Sequence, residues 1–348
     1  MRNMFDSGAG ERRGDYERCA RMIRCGSRSF FAASLLLPRE AREAAYAIYA
    51  FCRYSDDVVD LGGGGLGDIR RLYGRLDAAY AGAPHDSPID RAFADVVLRY
   101  GVPRALPAAL LEGLCWDAQG RRYQSFDDLC DYAVRVAGAV GAIMSVLMGA
   151  RSPSAIARAS DLGVAMQFTN IARDVGEDAR AGRIYIPYDW LTEAGLDVEP
   201  WLSAPAPNEA VRTATKRLLD VAADYYARGL SGIALLPGSC RASIVAAAHI
   251  YADIGAVIAA HGYDSITRRA TTSGGRKLVL LLEALTAPTP DAAVRDAPPL
   301  PAARFLVDAV DAQPGRLRAA AQDDSFGAVI DLFMRLEKRD RTVADIAR

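Results

Sequence analysis

Apolar residues recur at spacings of three and four along nearly all of this chain, and no stretch alternates convincingly with a period of two. That regularity leaves little room for a half-buried strand and predicts an all-α fold. Ala, Leu and Arg dominate the periodic segments, and all three are strong helix formers. Glycine and proline punctuate the pattern at 62–67, 83–88, 101–107, 152–153, 186–207 and 236–239. Helices of about ten to twenty-five residues are expected between these breaks. A Pro-rich stretch over 287–301 ends the periodic body. The expected organisation is a flexible N-terminus (1–15), one all-α body (16–286), a Pro-rich linker (287–303) and a C-terminal helical extension (304–348). No internal repeat of the solenoid kind is present.

With 348 residues, 51% hydrophobic and 24% charged, the composition is that of an ordinary globular chain. A formal net charge of −1 gives no reason to expect a nucleic-acid partner. The six cysteines show no C-x-x-C spacing and fall mostly in apolar helical stretches, so they read as small buried hydrophobes in a reducing compartment. The first fifteen residues lack an apolar core and carry acids, which fits neither a secretory signal nor a transit peptide. No uncharged run reaches the eighteen or so residues that span a bilayer, the nearest being 136–150 and the Asp253-containing 243–260. A cytoplasmic protein not integral to a membrane is therefore expected.

Against this apolar background stand two aspartate clusters, Asp56-Asp57-Val58-Val59-Asp60 and Asp174-Val175-Gly176-Glu177-Asp178. Arg53, Asp56, Asp57 and Asp60 follow offsets of three, four and seven, and Gln167, Asn170, Asp174 and Asp178 step by three, four and four. Each set projects from one helix face. Carboxylates at i,i+4 repel, so two such stripes are poor helix design unless a cation sits over each. Hard oxygen ligands with room for water and phosphate suit magnesium. The segment Val136-Ala137-Gly138-Ala139-Val140-Gly141-Ala142-Ile143-Met144 mixes small and large apolar residues. It either packs tightly against a neighbouring helix or walls an elongated apolar cavity. Acidic metal sites at one end of such a cavity would suit a molecule with a diphosphate head and a hydrocarbon tail.

These residues resemble the squalene and phytoene synthase family. Ala50-Phe51-Cys52-Arg53-Tyr54-Ser55-Asp56-Asp57-Val58-Val59-Asp60 is similar to its first aspartate-rich motif. Gln167-Phe168-Thr169-Asn170-Ile171-Ala172-Arg173-Asp174-Val175-Gly176-Glu177-Asp178, followed by Gly182-Arg183-Ile184-Tyr185-Ile186-Pro187, closely resembles the second. Further matches are Ser27-Arg28-Ser29-Phe30 with Leu36-Leu37-Pro38, Arg122-Tyr123 with Phe126-Asp127-Asp128-Leu129, Tyr132 with Val136-Ala137-Gly138, then Tyr251 and the Arg268, Arg269 and Lys277 region. Departures are mild: Phe31 stands where the family often has Tyr, Leu114 where it often has Met, and 62–65 is a run of glycine.

The resemblance implies a single-domain isoprenoid synthase fold around a central apolar cavity, and head-to-head joining of two allylic prenyl diphosphates through a cyclopropylcarbinyl diphosphate. It implies magnesium, with manganese as a substitute, held by Asp56, Asp60, Asn170, Asp174 and Asp178. Arg53 and Arg183 would grip phosphate oxygens. Ser27, Arg28 and Tyr251 are candidates for the second diphosphate, and Gln167 and Asn170 would orient water, metal or phosphate. Phe30, Tyr46 and Tyr132 would shield carbocations from water. No G-x-G-x-x-G fingerprint follows a strand, so no NADPH is expected. That favours phytoene from two geranylgeranyl diphosphates, the committed step toward carotenoids. The alternatives are presqualene diphosphate or dehydrosqualene from farnesyl diphosphate, and a non-catalytic assembly factor, which the intact aspartates argue against. Near the C-terminus, Phe326, Val329, Ile330, Phe333 and Leu336 form an apolar stripe beside Arg335, Lys338, Arg339 and Arg341. Such a helix more often docks on its own body. The alternative is peripheral contact with the inner face of the membrane, where other carotenoid-pathway enzymes could meet it.

Overall fold

The structure, a computed structural model, describes residues 2–61, 65–287 and 294–313. Among them are fifteen α-helices and no strand. In chain order they are α1 (Arg2–Gly26), α2 (Arg28–Ser34), α3 (Arg39–Leu61), α4 (Leu66–Tyr80), α5 (Pro88–Tyr100), α6 (Ala105–Ala118), α7 (Phe126–Ala133), α8 (Ala139–Leu147), α9 (Pro153–Arg180), α10 (Tyr188–Glu193), α11 (Val198–Ser203), α12 (Glu209–Ser231), α13 (Gly238–Ala260), α14 (Gly274–Thr286) and α15 (Arg304–Asp311). A single π-helical stretch, Val134–Gly138, joins α7 to α8.

Side-chain oxygens set several helix starts. Ser27, Ser152, Asn208 and Ser273 each accept a backbone N–H from the first turn of the helix they precede, and Ser125 with Asp128 forms a reciprocal capping box on α7. Pro153 occupies the first position of α9, where its missing N–H has no partner to lose. Two expected breaks differ in detail. The 186–207 stretch contains α10 and α11, each too short to show a period, and Pro107 lies within the first turn of α6.

α9 is the central helix, packed against α7, α8, α12, α13 and α15, while α8 touches both α9 and α3. Gly141 and Gly163 make the α8–α9 contact possible. A Cβ on Gly141 would lie 2.1 Å from the Ala159 carbonyl oxygen, and one on Gly163 would lie 2.3 Å from that of Ala137. The small residues of 136–144 therefore serve close packing on one face. On another, Val136, Val140 and Met144 step by four and stay half-buried. Met144, Met166, Leu230 and Ile244 pack against both of the molecule's hydrophobic clusters and remain partly accessible, which lays an apolar strip between them.

Three boundary expectations meet specific contacts. Residue 15 falls inside α1, where Asp15 is buried and paired with Arg91 at 2.7 Å. The Pro-rich stretch docks at its far end. Arg158, 1% exposed, pairs with Asp161 at 2.9 Å and donates to the carbonyls of Val294 (2.5 Å), Ala297 (3.2 Å) and Pro298 (3.3 Å). α15 then buries Leu306, Val307 and Val310, so the packed body continues past residue 304. The apolar stripe of 326–336 lies outside the described residues.

No uncharged run reaches the length of a bilayer span, but two helices are long and apolar enough to do so when a few charges are allowed. Phe126–Leu147 and Gly238–Ala260 both meet that test, although half or more of each apolar window is buried in the bundle. Scattered charges broke the uncharged runs without lowering the mean hydropathy of these helices below what a span needs. Burial is the ordinary reason for a core helix to be this apolar.

Candidate active site

α3 and α9 each place acids in their last turns, Asp60 and Asp178 among them. Helix C-termini carry partial negative charge, so this placement is the reverse of what isolated helices favour. Arginines compensate in part. Arg53 pairs with Asp57 at 2.7 Å and with Asp56 at 3.5 Å. Asp174 is held by Arg173 at 2.5 Å and by Arg269 at 2.8 Å, and Arg269 also reaches Glu177 at 3.0 Å.

One contact brings the two motifs together. α9 ends at Arg180, Gly182 turns the chain with φ 74°, and the Arg183 N–H bonds the Asp178 carbonyl at 2.8 Å. The turn aims Arg183 back across the site, where it pairs with Asp60 at 2.9 Å. Residues 123 positions apart thus face one another.

Negative charge remains in excess. Six carboxylates (Asp56, Asp57, Asp60, Asp174, Glu177, Asp178) face four guanidiniums (Arg53, Arg173, Arg183, Arg269). Burial, reinforced by Asp60, raises the Asp56 carboxyl to about 6. Burial, reinforced by Asp174, raises Asp178 to about 7. On the α9 stripe the Asn170 amide donates weakly to Gln167 at 3.5 Å, and its buried oxygen has no hydrogen-bond partner.

An all-oxygen donor set, surplus negative charge and an orphaned amide oxygen fit a hard divalent cation. Among the described residues no three His, Cys, Asp or Glu side chains form a ready-made cage.

The remaining candidates form a second group. Ser27 caps α2, and Tyr251 stacks on Phe30 with centroids 4.7 Å apart. Burial raises the Tyr251 hydroxyl to about 12, with Arg173 and Ser27 opposing the rise. Burial and then the charge of Arg28 lower the Lys277 ammonium, so two cations lie near each other. Neither is paired with a carboxylate among the described residues. Tyr46 is buried and accepts from Ser34 at 3.2 Å, deeper in the bundle. The Tyr132 hydroxyl donates to Asp117 at 2.9 Å.

Several participants escaped the spacing argument. Arg173 and Arg269 grip Asp174 from a neighbouring position and from a distant loop, and Asp117 receives both Tyr132 and Tyr185. Arg173 and Arg269 lie in stretches that resemble the family, whereas Asp117 follows the mostly apolar run Leu106 to Trp116 without any such match.

The family whose model matches residues 23–276 is described as squalene/phytoene synthase. The chain is 49% identical over 345 residues to a phytoene synthase of Cereibacter sphaeroides, covering 95% of this chain and 96% of that one. It is 47% identical over 338 residues to a phytoene synthase of Rhodobacter capsulatus, covering 95% and 98%. A crystal structure of a dehydrosqualene synthase in complex with ligand is similar in fold, with a TM-score of 0.72 and 29% identity over 80% of this chain and 97% of that one.

Proposed function

The chain belongs to the squalene/phytoene synthase family, and we propose that it is a phytoene synthase, joining two geranylgeranyl diphosphates head to head. The observation that carries the proposal is the pair of facing acidic stripes on α3 and α9, spanned by Arg183 and Asp60, in a chain nearly half identical to phytoene synthases over almost its whole length.

The C1–O bond of one substrate breaks, and its electron pair leaves with diphosphate. The C2=C3 pair of the second substrate attacks that C1, forming the C1–C2 bond and a cation at C3. Loss of a proton from C1 to the released diphosphate closes the cyclopropane. The second diphosphate then leaves, and the resulting cation rearranges and loses a proton to give phytoene. Departure of a highly charged leaving group is the difficult step, and preorganised positive charge is the remedy.

Arg53 and Arg183, tethered to the stripes without substrate, exchange carboxylate for phosphate oxygens when it binds. Asp56, Asp60, Asp174, Asp178 and Asn170 would hold magnesium, with manganese as a substitute, and the metal when bound neutralises the leaving diphosphate. Gln167 orients Asn170. Ser27, Arg28, Lys277 and Tyr251 receive the second diphosphate, whose charge offsets the repulsion between the two cations. Phe30 and Tyr251 close that end of the apolar strip against water. We also propose peripheral contact with the inner face of the membrane and with enzymes that consume phytoene, because substrate and product are lipids.

Incubation of the purified protein with geranylgeranyl diphosphate and magnesium, without NADPH, should give phytoene and diphosphate. Farnesyl diphosphate should be the poorer substrate. A preference for farnesyl diphosphate, or a product that requires NADPH, would replace this reading with that of a thirty-carbon synthase.

A further inference from the structure

Asp117 stands beside the acidic stripes and belongs to neither. It sits in the last turn of α6, and among the described residues no Arg, Lys or His is within ion-pair distance of it. Each of its oxygens is instead taken by a phenol: Tyr132 donates to Oδ2 at 2.9 Å and Tyr185 to Oδ1 at 2.8 Å. The rings of Tyr132 and Tyr185 stack 5.2 Å apart, and Tyr123 lies 5.1 Å from the first and 6.0 Å from the second. Tyr185 lies two residues beyond Arg183, on the segment that reaches back to Asp60, which ties the cluster to the reacting end of the site.

The direction of these hydrogen bonds decides what the cluster offers. A phenol has one proton, and both phenols have given theirs to Asp117. They have none left for a diphosphate. What remains is lone pairs, ring faces and an ionised carboxylate, all of which attract positive charge. Burial raises the Asp117 carboxyl to about 6, opposed by the two phenol hydrogen bonds and then by the charge of Arg183, so its ionised form is kept at a cost with no cation in contact. The cost is offset where a cation arises transiently beside it.

We propose, resting on the prenyl-coupling reading above, that Asp117 is a positioning residue and counter-charge for the carbocations of that reaction, acting through Tyr132 and Tyr185. It fixes both phenols with their acceptor faces outward. It forms no bond, stays ionised throughout and takes no proton, which leaves with diphosphate as written above. The lone pairs and rings it orients lower the energy of the allylic cation after C1–O cleavage and of the C3 cation after C1–C2 bond formation.

Asp117→Asn tests this, because the amide keeps the shape, loses the charge and aims a donor at one of the two phenol donors. With geranylgeranyl diphosphate and magnesium, kcat should fall by about 100-fold or more, as when one preorganised group is removed from a transition state. KM, and the affinity for inorganic diphosphate with magnesium, should change by less than about threefold, since ground-state binding is untouched. Water-quenched prenyl alcohol should form a larger share of product. Asp117→Glu should recover part of kcat, and Tyr132→Phe with Tyr185→Phe should resemble Asp117→Asn. A normal kcat in Asp117→Asn, a rise in KM or in the diphosphate dissociation constant that accounts for the loss, or a loss wholly explained by a lower Tm would overturn the proposal. If the wild-type protein couples no allylic diphosphate, the functional reading fails and this inference falls with it. Wild-type turnover beside an unimpaired Asp117→Asn sinks the inference alone.

Discussion

Asp174 and Asp178 are one helical turn apart, yet Asp174 is clasped by Arg173 and Arg269 while Asp178 is raised to about 7 by burial and by Asp174 itself. Their substitutions should therefore differ. Asp174→Asn leaves the largely buried Arg173 without its partner and should lower stability by about 1–3 kcal/mol in chemical denaturation. Asp56→Asn and Asp178→Asn relieve repulsion and should leave the Tm of the metal-free protein unchanged or higher. All three should lose turnover by orders of magnitude, and near-normal kcat at saturating magnesium in any of them would exclude that side chain as a ligand. The sign of the pH effect follows from the same shifts. Asp56 and Asp178 rise from 3.8 to about 6 and about 7, so the folded state binds these protons more tightly than the unfolded chain. Their stabilising contribution is full below about pH 4 and is lost as pH rises through 6 to 7. Magnesium competes with the same protons. The magnesium-induced rise in Tm should be small near pH 5.5 and large near pH 8, and a shift independent of pH would contradict this.

At the scale of elements, the 136–144 segment shows what a pattern of small residues can and cannot reveal. Its composition allowed either close packing or a cavity wall, and the contacts show close packing on one face. Gly141 meets the backbone of α9, whereas Val136, Val140 and Met144 lie half-buried on another face. Gly141→Ala and Gly163→Ala would drive a methyl into a carbonyl oxygen that cannot rotate away. Each should destabilise by about 1–3 kcal/mol or more, measured by denaturant unfolding. Val140→Ala should cost less, because its methyls are only partly enclosed. Equal costs at Gly141 and Val140 would show that the two faces are not distinct.

The whole molecule is closed by its C-terminal segment. The buried Arg158–Asp161 pair, reinforced by Arg228 on Asp161 at 3.1 Å, is completed by carbonyls of 294–298, and α15 covers α9, α6 and α8. Deleting 294–348 removes those acceptors and strips the apolar seat of Leu306, Val307 and Val310. The expected result is a Tm lower by several degrees or aggregation, since a buried guanidinium without its acceptors and an exposed apolar patch are both unfavourable. Deleting 314–348 leaves these contacts in place. Unchanged thermal stability after the longer deletion would refute the closing role of 294–313.

The helical fold and the two acidic stripes were legible in the sequence, because helix periodicity and the projection of side chains from one face are local and depend only on spacing. The family motifs carried the chemistry for the same reason, each being a contiguous run. What spacing could not reveal is which distant side chain meets which acid. Arg183 reaches Asp60, Arg269 reaches Asp174, and the phenols of Tyr132 and Tyr185 converge on Asp117. Those partners come from separate helices and loops whose approach is set by packing, down to single glycines between α8 and α9. Tertiary structure also decided that two helices apolar enough to span a bilayer lie in the bundle, since composition records how much apolar surface must be hidden and not what hides it.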